Sequence, residues 1–87
     1  MPHILAKIKN VKFDEIKKTL KEHAPIHAID NMFLEHIWKN ADDDNEIFFL
    51  FKVDNINHAK DVIKINHTQA LKDNPKANLP QMTFLFD

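Results

Sequence analysis

His36 is the residue best suited to acid–base chemistry. It lies within the apolar run MFLEHIWK at 32–39, directly after Glu35 and two residues before Trp38. Histidine ordinarily titrates near neutrality, so its ring can take up or release a proton at physiological pH. In an extended segment successive side chains alternate between faces, which predicts Leu34, His36 and Trp38 on one side. Trp38 would then form an apolar wall beside the base. His3, near the start of the chain, is a second imidazole that could join it. Lys7 and Lys52 are expected on the same inner face, where a desolvated ammonium needs an anionic partner or ligand. From the third strand either Phe48 and Leu50, the set taken here to complete the wall, or Ile47, Phe49, Phe51 and Val53 would face the same way, since alternation alone does not set the register. The bland alternative is an interfacial histidine without chemistry, with the lysines on an exposed rim.

Other chemistry finds less support. His23 and His27 have a four-residue spacing, but Pro25 lies between them and is expected to spoil a shared helical face. His58 and His67 are expected on the exposed side of a helical region. There is no cysteine, so disulfides and thiolate metal sites are excluded, and no H-E-x-x-H occurs. No metal or cofactor is expected. The acidic run Asp42-Asp43-Asp44-Asn45-Glu46 lacks the glycine of a calcium-binding EF-hand loop and reads as a hairpin turn. The absence of any glycine also excludes glycine-rich phosphate loops, and it assigns backbone positions of positive φ to Asn or Asp. A net charge of −1 with scattered basic residues argues against nucleic-acid binding. The start, MPHILAKIKN, has no apolar run long enough for a signal peptide or a membrane span, so a cytoplasmic, non-membrane protein is expected.

These residues must be positioned by a small fold, since 87 residues suffice for one domain, 1–87. HILAKIK at 3–9 alternates and predicts a strand. Phe13, Ile16, Leu20 and Ala24 recur at helical spacing, and Pro25 is expected to end that helix, leaving PIHAIDN at 25–31 irregular. A second strand is predicted over 32–39, a turn over NADDDN at 40–45, and a third strand over 46–53. Asp54 or Asn55 would cap a second helix carrying Ile56, Ala59, Val62 and Ile63. Asn66-His67 is expected to interrupt it, with Thr68 capping a short further helix. QMTFLFD at 81–87 predicts the fourth strand. The order β-α-β-β-α-β is that of a ferredoxin-like α+β fold, a four-stranded antiparallel sheet with both helices on one face.

The third strand raises a packing problem. Ile47, Phe48, Phe49, Leu50 and Phe51 are all apolar, so both of its faces call for burial. Two helices dry one face only. A second copy of the chain, packed sheet to sheet, would cover the other.

A resemblance points the same way. HAP at 23–25, IWKNADDDNEIFFLFKVDNINHAKDVI at 37–63 and the terminal PQMTFLFD resemble small proteins of the dimeric α/β-barrel superfamily, labelled cyclases or grouped near antibiotic-biosynthesis monooxygenases. Their shared motif has the form V-F-R-N-x-D-D-P-N-E-V-x-V-L-F-E-x-D-D-x-x-x-A. Trp38, Asn40, Asp42, Asp43, Asn45, Glu46, Leu50, Phe51, Asp54 and Ala59 stand at matching positions. Asp44 replaces the usual proline, Lys39 the arginine and Lys52 the acidic residue. The resemblance implies a homodimer, a dimeric α/β barrel whose sheets face each other around an internal cavity. It implies no particular reaction.

Two readings follow. In the first, the chain is a homodimeric small-molecule-binding protein, with room for a cofactor-free oxygenase or cyclase activity on an apolar or aromatic substrate. His36 would be the base, and Trp38, His3, Lys7, Lys52, Phe48 and Leu50 would hold the ligand. In the second, the dimer is a non-enzymatic interaction or stress-related module whose interface is filled by its own side chains. An open pocket of several hundred Å³ walled by His36 would favour the first reading.

Overall fold

The computed structural model describes residues 1–86. It contains β1 (His3–Lys9), α1 (Phe13–Ile29), β2 (Met32–Asn40), β3 (Asp43–Val53), α2 (Ile56–Asp73) and β4 (Gln81–Leu85). The four strands form one antiparallel sheet in the order β2-β3-β1-β4. This is the ferredoxin-like β-α-β-β-α-β topology expected from the pattern of apolar residues. Among the described residues no helix is long and apolar enough to cross a membrane.

Register decides which residues of each strand meet the helices. Ala6 of β1 stands opposite Phe49 of β3 and Met82 of β4, and Ile37 of β2 stands opposite Phe49. Ala6 and Phe49 of that row and the neighbouring Ile4, Ile8, Ile47, Phe51, Val53 and Met32 are buried under the helices, with Ile37 and Met82 partly buried beside them. Leu20 of α1 and Ile56, Ala59 and Ile63 of α2 close over them. The full complement of apolar strand residues is thus split. Ile47, Phe49, Phe51 and Val53 take the core, while Phe48 and Leu50 face away from it.

Several local expectations are corrected. α1 does not stop at Pro25 but runs on to Ile29. Proline removes one backbone N–H and crowds the carbonyl one turn earlier, that of Lys21. Lys21 and Pro25 are both exposed, so water can serve that carbonyl. α2 is likewise unbroken through Asn66-His67. Those residues cost only tenths of a kcal/mol each in a helix, roughly up to 0.7. A stripe of buried Ile56, Ala59 and Ile63 offsets this, and Thr68 caps nothing. The single N-cap of α2 is Asn55, whose side chain accepts from the His58 N–H at 3.0 Å. The hairpin between β2 and β3 is tighter than NADDDN suggested: Asn40 pairs with Asp43, leaving Ala41 and Asp42 as the loop. β4 ends at Leu85; Asp87, included in the expected strand, lies outside the described residues.

Positive φ occurs among the described residues only at Asn10 (61°) and Asn31 (55°). Asn31 follows α1 and donates its N–H to the Ala28 carbonyl at 3.0 Å, a left-handed helix stop that glycine usually supplies. Asn10 leaves β1 and donates to the Asn45 carbonyl at 2.8 Å, which ties that turn to the β2–β3 hairpin. In a chain without glycine, asparagine has taken both positions.

Candidate functional site

All seven residues singled out in the sequence lie on the sheet face that the helices leave bare. β1 presents His3, Leu5 and Lys7 there, β3 presents Phe48, Leu50 and Lys52, and β2 presents His36 and Trp38. His3 stands opposite Lys52, Lys7 opposite Phe48, Leu50 opposite His36, and Phe48 opposite Trp38. The rings of His36 and Trp38 stack, with centroids 5.0 Å apart and planes 20° from parallel. Leu34 does not share their face. The register slips at Glu35, so Leu34 pairs with Phe51 and packs on the core side. One bulged residue reverses the alternation on which the grouping with Leu34 rested. The bulge also turns Glu35 toward β1, where its Oε1 lies 2.8 Å from Nε2 of His3.

This face is apolar but shallow in a single chain. Phe33, Trp38 and Leu85 are 50%, 45% and 39% exposed. A hollow of about 140 Å³ on this face is lined by Leu5, Lys7, Phe48, Gln81 and Thr83 and does not include His36. Neither this hollow nor the larger cavity on the other side of the sheet is walled by His36.

The larger space lies on the opposite side of the sheet. A cavity of about 560 Å³ opens between α1, α2 and the core face. Its floor is Ile8, Phe49, Phe51 and Met82, and its sides include Ile16, Leu20, Val62 and Ile63. His23, His27 and Asp30 from α1 and His67 from α2 supply its ionisable groups. The expectation of solvated histidines is corrected for His27 and His67, which are half-buried, while His23 and His58 are exposed as expected. Because α1 continues through Pro25, His23 and His27 do share a helical face, with ring centroids 6.1 Å apart. His27 meets the Phe51 ring edge-on at 5.1 Å. Asp30 Oδ1 lies 3.5 Å from Nε2 of His58 on α2. Among the described residues no group of three or more His, Cys, Asp or Glu side chains is arranged to hold a metal ion.

Burial holds the His27 pKa below its ordinary value of 6.5; His23 adds to the depression and Asp30 opposes it. Burial also lowers His67. Both rings are therefore mainly uncharged at neutral pH. The unfolded chain binds more protons than the folded one once pH drops below the ordinary histidine value. Stability should thus be full above about pH 6.5 and decline as pH falls through the depressed folded-state values. Urea denaturation across that window checks this, and a double His27→Gln, His67→Gln variant should show a flatter profile. An unchanged slope in that variant would reassign the effect to other groups.

The sequence carried a sign of these two histidines. His67 lies four residues after Ile63 and His27 seven after Leu20, so each continues the buried stripe of its helix. Pro25 and Asn66-His67, read as helix breaks, hid that continuity.

No protein-family model matches the sequence, and no curated protein or solved structure matches it either.

Proposed function

We propose that the chain is a homodimeric small-molecule-binding protein that takes an apolar ligand into the cavity between its helices and its sheet. The cavity itself carries this reading: at about 560 Å³ it has the size of a ligand pocket, an apolar floor and a few polar groups along its walls. A second copy would cover the bare face, where Phe33, Trp38 and Leu85 are exposed and Phe48 and Leu50 stand beside them. His36, Trp38, His3, Lys7 and Lys52 would then become interface residues. A cofactor-free oxygenase or cyclase reaction on the bound ligand would need a base on the cavity wall. His27, uncharged at neutral pH, has the protonation state for that role. The reading of a filled, non-enzymatic interface draws support from the shallowness of the bare face. It concerns the dimer contact and is compatible with a ligand under the helices.

Calorimetric titration with 1-decanol tests the pocket. One molecule per chain is expected to bind to the wild type. Val62→Trp, which places an indole in the cavity, should weaken binding by about tenfold or more, a loss of about 1.4 kcal/mol. No binding by the wild type, or equal binding by the variant, would overturn the assignment.

A further inference from the structure

The polar groups of the helix-side cavity are unevenly chosen. Its ionisable lining among the described residues is three imidazoles, of His23, His27 and His67, and one carboxylate, Asp30, with no lysine or arginine; Thr19, Asn66 and Asn78 add neutral polar groups. The carboxylate already has a neighbour outside the cavity, since its Oδ1 lies 3.5 Å from His58. Below the cavity, the sheet contributes only uncharged side chains to the lining: Ile8, Met32, Phe49, Phe51 and Met82.

We propose that the ligand of this cavity is an amphipathic anion, its apolar body on Phe49, Phe51 and Met82 and its anionic head at the imidazoles of His23, His27 and His67. The inference rests on the pocket reading above and specifies the ligand's chemistry. An uncharged imidazole presents one N–H donor and one acceptor. A purely apolar ligand would displace water from these groups and leave them without partners, at a cost for each. A cationic ligand would meet three groups that can themselves become positive, against the single carboxylate of Asp30. An anionic head accepts from the N–H groups and gains further when a ring takes up a proton.

That gain makes ligand and proton binding reciprocal. Desolvation and the neighbouring His23 disfavour a charge on His27, while Asp30 favours it. An anion placed beside the ring works with Asp30 and against desolvation, so it draws a proton onto the ring. By linkage, protonation must then tighten the anion. His23 and Asp30 of α1 act on the charge of His27, the Phe51 ring of β3 meets it edge-on, and His67 of α2 lines the same cavity. His58 of α2 acts on it through Asp30.

Decane-1-sulfonate tests the inference because its head stays ionised across the histidine range, so any pH dependence belongs to the protein. Titrated calorimetrically at about pH 5.5 and about pH 7.5, it should bind roughly tenfold tighter at the lower pH. Paired buffers of different ionisation enthalpy should show net proton uptake on binding. 1-Decanol should bind without this preference. Val62→Trp, which fills the cavity and leaves the bare sheet face untouched, should weaken both ligands. Binding of both ligands by the wild type with no pH dependence and no proton uptake for the sulfonate would overturn the anionic assignment and leave the pocket reading standing. Sulfonate binding that persists in Val62→Trp, pH dependence included, would also overturn it. Binding of neither ligand would overturn both readings.

Discussion

Leu50→Lys is expected to turn a two-chain species into a one-chain species at micromolar concentration in sedimentation. Leu50 sits in the middle of the bare face, opposite Leu5 on one side and His36 on the other. Around it Phe33, Trp38 and Leu85 are about half exposed in the single chain. Burying each such side chain contributes roughly 1.5–3 kcal/mol. A symmetric partner brings the same patch and buries both at once, over on the order of 2,000 Å² in total for an obligate pair. The substitution introduces a charge in each copy, and two ammonium groups would be desolvated near each other. The dimer constant should weaken by about a thousandfold or more, some 4 kcal/mol. Because the face is solvent-exposed in one chain, the variant should keep its circular dichroism. Its thermal midpoint should also lose the dependence on protein concentration expected of the wild type. A wild type that sediments as a monomer at micromolar concentration would defeat the dimer proposal.

Phe51→Ala should cost about 3–5 kcal/mol of folding stability, read as a fall in the urea midpoint. Phe51 is 2% exposed. It packs edge-on against Phe49 at 5.7 Å and against His27 at 5.1 Å. In the sheet it pairs with Ile4 on one side and Leu34 on the other. It therefore joins β1, β2 and β3 to α1, and it borders the cavity, so removing the ring would enlarge that space. For a domain whose total stability is of order 5–15 kcal/mol, this is a large fraction. A loss below about 1 kcal/mol would show that the cavity floor is not part of the cooperative core.

The amino-acid sequence by itself determined the elements and their order. Alternation in HILAKIK, the helical spacing of Phe13, Ile16 and Leu20 and of Ile56, Ala59 and Ile63, the apolar runs at 32–39 and 81–87, and the two-faced run of Ile47 to Phe51 together spell β-α-β-β-α-β. They also require that a single layer of helices leave one sheet face bare. The absence of glycine assigned the left-handed positions to asparagine, as Asn10 and Asn31 show. The tertiary structure decided what period counting does not register. A strand that is apolar on both sides has no preferred face of its own. Only pairing with β1, whose Ile4, Ala6 and Ile8 alternate with His3, Leu5 and Lys7, sends Phe49 and Phe51 inward and Phe48 and Leu50 outward. A single inserted residue at Glu35 moves Leu34 to the face opposite His36, because side-chain direction has a period of two. Pro25 stays within α1, where it and Lys21 are both exposed, a fact about packing rather than about proline. The cavity and the depressed pKa values of His27 and His67 arise from how two helices settle over the sheet. Desolvation depends on which atoms surround a ring, and those neighbours come from distant parts of the chain.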